Sequence, residues 1–302
     1  MTVFKKLQFK TPAKINLGLH IHKKRKDGFH ELETLLQMVA WFDQLTLKGT
    51  SEKVELFCDA PGIPNGETNL VVKAARLLQK HFSGRCGGVN IKLKKYIPSG
   101  AGLGGGSGNA AGVLLALNHL WDLKISREDL IAISSELGSD VPFFLTSPCA
   151  IGRGKGEILQ PIENPINYYI LMVYPNLPLS TSWVYGNLKL KLTKSENNIS
   201  ILANFLMRSE FAQLGAALYN DLEPVVFKRY PEILKIKNEL LGSGAEGALL
   251  SGSGSTVFGI FDNPDLAKKA LARFEGKKYK VFLAKSITSF SEFFPDEMIP
   301  AF

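Results

Sequence analysis

The chain has 302 residues, 45% hydrophobic and 21% charged, with a formal net charge of +8, which is the make-up of a globular protein long enough for two domains. This excludes bulk disorder, and no apolar run approaches the ~20 residues of a membrane-spanning helix, the longest covering residues 168–174. Three widely spaced cysteines, Cys58, Cys86 and Cys149, suit neither a disulfide framework nor a zinc site and read as reduced thiols, while Lys5, Lys6 and Lys10 interrupt any leading apolar segment, so a cytoplasmic protein is expected.

Residues 1–30 hold eight Lys or Arg against the single acid Asp27. Over residues 13–22, Ile15, Leu17, Leu19 and Ile21 alternate with polar positions; this period predicts a half-buried strand with Lys14 and Asn16 side by side on its polar face. His20 and His22 share a face, but no third ligand is spaced to complete a metal site. Asp27-Gly28 is a turn signal, and strand-like sequence resumes over residues 29–39, so a hairpin is expected. Asn69 suits the N-cap of a helix whose Leu70, Val71, Ala74, Leu77 and Leu78 recur at helical spacing. Val89, Ile91 and Leu93 mark a strand, and Arg85, Lys92, Lys94 and Lys95 form a second basic patch leading into residues 98–108, where six of eleven residues are glycine. An apolar helix is predicted from Asn109, and Ser126 with Asp129 caps another that runs to Leu137-Gly138. Glycines at 152, 154 and 156 suggest a division into domains 1–155 and 156–302. Beyond it the pattern predicts strands at 168–174 and near 279–283, helices at 199–207, 231–241 and 264–274, and apolar runs around Ser251-Gly-Ser-Gly254. Mixed helices and strands imply an α+β fold.

A strand, a glycine-rich loop and a helix in succession present backbone N–H groups and the positive end of a helix dipole to a phosphate. Glycine serves there because a side chain would hold the phosphate oxygens away from the backbone. The alternating strand and apolar helix at its flanks argue against a flexible linker. The loop lacks the Gly-Lys-Ser/Thr of a P-loop, and no strand with a ribose-binding acid follows at the spacing of a dinucleotide fingerprint. Neither basic segment interleaves aromatic residues as a base-stacking platform does, so a small phosphorylated ligand fits better than nucleic acid. A basic nucleic-acid-binding module is the rival from another class, recognisable by salt-dependent RNA binding.

Pro98-x-Gly-x-Gly-Leu-Gly-Gly-Gly-Ser107 resembles the ATP-binding motif of the GHMP kinase superfamily. Segments 12–17, 24–32, 137–142, 220–224 and 251–256 resemble one branch of it, whose members act on a cytidine-diphosphate-linked alcohol. Two departures stand out: Gly108 where a second serine is common and Phe29 where tyrosine is frequent. The resemblance implies a two-domain GHMP kinase architecture, with an N-terminal domain like ribosomal protein S5 domain 2, a ferredoxin-like C-terminal domain and the site between them. It implies ATP and Mg²⁺ as cofactors and phosphorylation of the 2-hydroxyl of 4-diphosphocytidyl-2-C-methyl-D-erythritol in non-mevalonate isoprenoid precursor synthesis. Homoserine or mevalonate kinases are the alternative, disfavoured by Gly28-Phe-His-Glu-Leu32.

By the same resemblance Asp140 is the catalytic base, with Lys14 beside it. A carboxylate at hydrogen-bond range accepts the alcohol's proton, and an ammonium favours the developing alkoxide. Nucleotide contacts are expected from Pro98, Ser99, Gly100, Ala101, Gly102, Leu103, Gly104, Gly105, Gly106, Ser107 and Gly108, with Ser107 meeting phosphate or Mg²⁺ and no carboxylate singled out for the metal. Asn69 either reaches the adenine end or simply caps its helix. Substrate contacts are expected from Asn16, Phe29, His30, Thr181 and Tyr185, where Tyr185 is either the second stacking face for cytosine or a core residue; the charges at 23–26 would lie near the diphosphate. The expected partner is a small molecule, with no nucleic acid and no membrane, and the protein a monomer or weak homodimer.

Overall fold

The computed structural model describes residues 5–51, 53–163, 166–188 and 198–299. Strands β1 (Lys6–Lys24) and β2 (His30–Thr50) form a long antiparallel hairpin, closed by a turn in which Arg25 N–H donates to Phe29 O at 2.7 Å. There follow β3 (Val54–Cys58), α1 (Leu70–His81), β4 (Gly88–Lys94), α2 (Gly105–Leu120), α3 (Arg127–Ser134), α4 (Phe143–Thr146), β5 (Cys149–Gly154) and β6 (Ile158–Pro161). The second half contains β7 (Tyr169–Tyr174), α5 (Thr181–Gly186), α6 (Ile199–Met207), α7 (Phe211–Ala217), β8 (Tyr219–Asn220), α8 (Glu223–Arg229) and α9 (Pro231–Leu241), then β9 (Gly247–Leu250), β10 (Val257–Phe261), α10 (Pro264–Phe274) and β11 (Lys280–Lys285).

The first sheet has seven strands in the order β3-β4-β2-β1-β8, with β5 on β2 and β6 on β5; the second runs β11-β7-β10-β9. Helices α1 and α2 cover one face of the first sheet, and Ile15 and Leu17 on its other face pack with Met172 and Phe258 of the second sheet and Leu202 of α6. A third cluster joins Leu19 and Ile21 to α8, α9 and α10. The first sheet is therefore covered on both faces here, which removes the solvent side that the alternation in β1 predicts: residues 11–19 are all buried, Lys14 and Asn16 included.

The alternation also breaks. The register with β2 shifts between Pro12 and Ala13, where β2 carries two extra residues, between Asn16 and Gly18, where β1 carries one, and between Ile21 and Lys23; such irregularities re-aim the side chains on either side of them. Leu7 and Phe9 consequently face the first cluster, Ala13, Ile15 and Leu17 the second, and Leu19 and Ile21 the third.

Two helix boundaries differ from the sequence expectation. Helix α2 starts at Gly105, inside the glycine run and four residues ahead of Asn109, because packing against β1 and α4 supplies what glycine's low helix propensity does not. Helix α3, capped by Ser126 as expected, stops at Ser134, before Leu137-Gly138. The division expected at 155/156 falls inside the turn joining β5 to β6. From the second half, β8 pairs with β1, and Ile287, Phe290, Phe293, Phe294 and Met298 enter the first core cluster.

Candidate active site

The glycine loop is held by its carbonyls. Leu103 O accepts from Lys14 N–H at 2.9 Å, Ala101 O from Thr256 N–H at 3.2 Å, Gly100 O from Leu179 N–H at 3.0 Å and Gly102 O from Ser251 Oγ at 2.9 Å. A Cβ on Gly102 would stand 2.1 Å from Ser251 O, so the two loops meet backbone to backbone. Gly104 is the N-cap of α2 at φ 66°, a left-handed conformation natural to glycine, and a Cβ there would lie 2.9 Å from Lys14 Cγ. The first bond into the helix runs from Gly108 N–H to Gly104 O at 2.9 Å. The N–H groups of residues 105–107 precede it and have no helical acceptor; all three residues line a cleft of about 810 Å³ between the two halves of the chain.

Lys14 and Asp140 lie in that cleft, with Lys14 Nζ 3.8 Å from Asp140 Oδ2. The lysine is buried and the aspartate, on the turn between α3 and α4, half exposed. Lys14 Nζ donates to Asn16 Oδ1 at 2.7 Å, Asn16 Nδ2 to Thr34 Oγ1 at 2.9 Å, and Thr34 Oγ1 to Gly18 O at 2.7 Å. Elsewhere in the cleft, the His30 and Tyr185 rings face each other with centroids 5.1 Å apart, and Thr181 Oγ1 lies 2.9 Å from Ser253 Oγ. The Phe29 ring is 54% exposed, with Lys155 Nζ 4.8 Å from its centroid. Burial, helped by the Lys24 charge, lowers the His30 pKa and favours neutral imidazole; burial, with the Asp140 charge adding, raises that of the Tyr185 phenol.

Of the residues expected at the site, Pro98, Gly100–Ser107, Lys14, Asn16, Phe29, His30, Asp140, Thr181 and Tyr185 line the cleft, whereas Ser99, Gly108 and Asn69 do not. A Cβ on Gly108 would be 2.8 Å from Pro12 O, so β1 occupies the space of the second serine that the resemblance leads one to expect. Asn69 caps α1: Oδ1 accepts from Val71 N–H at 2.9 Å and Nδ2 donates to Pro64 O at 2.8 Å. The second basic patch disperses. Lys95 pairs with buried Asp43, Lys94 lies over Tyr96, and Arg85 binds the Asp122 and Leu123 carbonyls. Of the first segment Lys24 lines the cleft, while Arg25 is tied to Asp27 and Glu31. Lys155 and Thr34 also line it and went unnoticed in the sequence, Lys155 hidden among glycines and Thr34 in an ordinary strand pattern. Among the described residues no cluster of three or more His, Cys, Asp or Glu could hold a metal ion, and no helix is long and apolar enough to cross a membrane.

The glycine loop, the Lys14–Asp140 pair and the His30–Tyr185 rings thus share one cleft. The GHMP kinases N terminal domain matches residues 69–147 and the GHMP kinases C terminal domain residues 202–281. The 4-diphosphocytidyl-2-C-methyl-D-erythritol kinase of Thermodesulfovibrio yellowstonii is 45% identical, covering 89% of this chain and 95% of that protein. That of Chlorobium phaeobacteroides is 41% identical, over 92% and 97%. The chain belongs to the 4-diphosphocytidyl-2-C-methyl-D-erythritol kinases, a GHMP kinase family. A crystal structure of a 4-(cytidine 5'-diphospho)-2C-methyl-D-erythritol kinase superposes with a TM-score of 0.80 at 35% identity, covering 93% of this chain and 99% of that one. The homoserine kinase of Cytophaga hutchinsonii, at a TM-score of 0.76, 21% identity and coverages of 94% and 95%, shares the fold. The GHMP architecture is thus common to this family and to kinases of other alcohols.

Proposed function

We propose that this chain transfers the γ-phosphoryl group of ATP to the 2-hydroxyl of 4-diphosphocytidyl-2-C-methyl-D-erythritol, a step of isoprenoid precursor synthesis. The observation that carries the reading is the Lys14–Asp140 pair, 3.8 Å apart, in one cleft with the glycine loop and the His30–Tyr185 rings. In this reading residues 105–107 receive the nucleotide's phosphates. His30, Phe29 and Tyr185 take the cytosine, and Asn16 and Thr181 position the rest of the alcohol. Asp140 accepts the proton of the 2-hydroxyl as its oxygen bonds to the γ-phosphorus and the bond to the β–γ bridging oxygen breaks, leaving ADP; Lys14 favours the alkoxide as it forms.

Among the described residues Asp140 is the one carboxylate lining the cleft. A magnesium ion binds through phosphate oxygens and water with one or two protein oxygens; the Ser107 hydroxyl would supply one of these, and the ion would neutralise phosphate charge. The proposal includes a cytoplasmic protein, monomer or weak homodimer, that takes a small molecule and not nucleic acid. In support, Lys14, Lys24 and Lys155 line a cleft, where cationic charge meets a small anion. The test is ADP release measured against a panel of cytidine diphosphate alcohols, homoserine and mevalonate: turnover only with the methylerythritol compound is expected, and preference for homoserine or mevalonate would overturn the substrate assignment.

A further inference from the structure

We propose that Thr34 is a positioning residue for phosphoryl transfer, holding the Asn16 amide in the one orientation that aims Lys14 at the reacting hydroxyl; this rests on the kinase reading above. The Lys14 ammonium can only donate, so the Asn16 oxygen must face it, at 2.7 Å. The amide nitrogen then points at Thr34 Oγ1, 2.9 Å away, and the threonine must accept there and direct its own proton to Gly18 O at 2.7 Å. An ammonium at one end and a backbone carbonyl at the other leave the chain of three bonds a single polarity.

Lys14, Asn16 and Thr34 are only 5, 5 and 3% exposed, so water is poorly placed to substitute for a missing partner. Thr34 comes within reach of both Asn16 and Gly18 because the bulge between those two residues leaves Gly18 opposite Leu35 and Leu19 opposite Thr34. Gly152 of β5 backs the threonine closely: a Cβ there would be 3.2 Å from Thr34 Cγ2, which seats the methyl and orients the hydroxyl. Thr34 Oγ1 is the acceptor of the Asn16 amide nitrogen among the described residues, and without that hydroxyl the bond is lost. The amide is then free to turn its N–H groups toward the ammonium, which displaces Lys14 from Asp140 without altering the glycine loop.

The test compares Thr34→Val, which keeps the shape and removes the hydroxyl, with Thr34→Ser, which keeps the hydroxyl. The valine variant is expected to lower kcat by about tenfold with the KM for ATP within about twofold, and the serine variant to recover to within about threefold of the parent. In a Lys14→Ala background the valine substitution should cost nothing further, because its effect passes through Lys14. A valine variant with the parent's kcat, a serine variant as impaired as valine, or a loss that persists without Lys14 would each overturn the proposal. Should Thr34→Val not fold, Thr34→Cys, of similar size and a poor acceptor, is held to the same outcomes. The Asp140→Asn variant judges the base assignment separately, so either inference can fail alone.

Discussion

Asp140 and His30 owe their properties to different surroundings. Asp140 is half exposed, 3.8 Å from the Nζ of buried Lys14. Asp140→Asn keeps the shape and removes the proton acceptor. We expect kcat to fall by ~10²–10⁴ with ATP affinity unchanged, and activity within threefold of the parent would reject the base role. His30 is held below the ordinary imidazole value first by burial and then by the Lys24 charge. For a base whose folded pKa is lowered, the folded state binds fewer protons than the unfolded one. Its share of stability is whole above the ordinary value of about 6.5 and is lost as pH falls through that value toward the folded pKa. Replacing Lys24 by methionine removes one of the two causes, so the His30 titration followed by NMR should move up toward the ordinary value; an unmoved or lower titration would exclude Lys24 as a cause.

The loop and helix α2 work as one element. The carbonyls of residues 100–103 are bonded into the protein, and the N–H groups of residues 105–107, at the start of the helix, have no helical acceptor. Gly104→Val places a branched side chain at φ 66°, with its Cβ 2.9 Å from Lys14 Cγ and 3.1 Å from Phe144 Cζ. That strain, ~1–3 kcal/mol from the backbone alone, falls on the helix entrance, so nucleotide affinity in calorimetry should drop at least about tenfold; unchanged affinity would separate the loop from the phosphates. The helix itself was legible from Asn109 onward through its apolar residues. The first four residues were not, because glycine carries no periodic signal and only packing against β1 and α4 makes that turn helical.

At the scale of the whole molecule, β1 and residues 290–294 are packed together. Phe294 lies 4% exposed against Phe9, Phe290 and Phe293, so the first core contains residues from the final segment. Phe294→Ala should destabilise by about 3–5 kcal/mol, the usual cost of emptying an aromatic site, read as a lower urea midpoint. A fragment of residues 1–155 lacks β6, β8 and that segment, and should show no cooperative thermal transition of its own; a sharp one matching the intact protein would mean that this part folds independently.

The amino-acid order alone was enough for the glycine loop, the hairpin and the helix that follows Asn69, because turn chemistry, capping and periodicity act between near neighbours in the chain; Lys14, Asp140 and His30 were singled out by the family resemblance. Their meeting in one cleft, the burial of Lys14 and Asn16, the dispersal of the second basic patch and the link from Asn16 to Thr34 were decided by tertiary structure. Strand alternation specifies two faces without saying what covers each, and it loses phase at every bulge. Along β1, register irregularities against β2 send apolar residues of one apparent stripe into different cores. Contacts such as Ser251 Oγ to Gly102 O, 149 positions apart, exist only once the second sheet has packed against the first, since no local preference of either residue specifies the other.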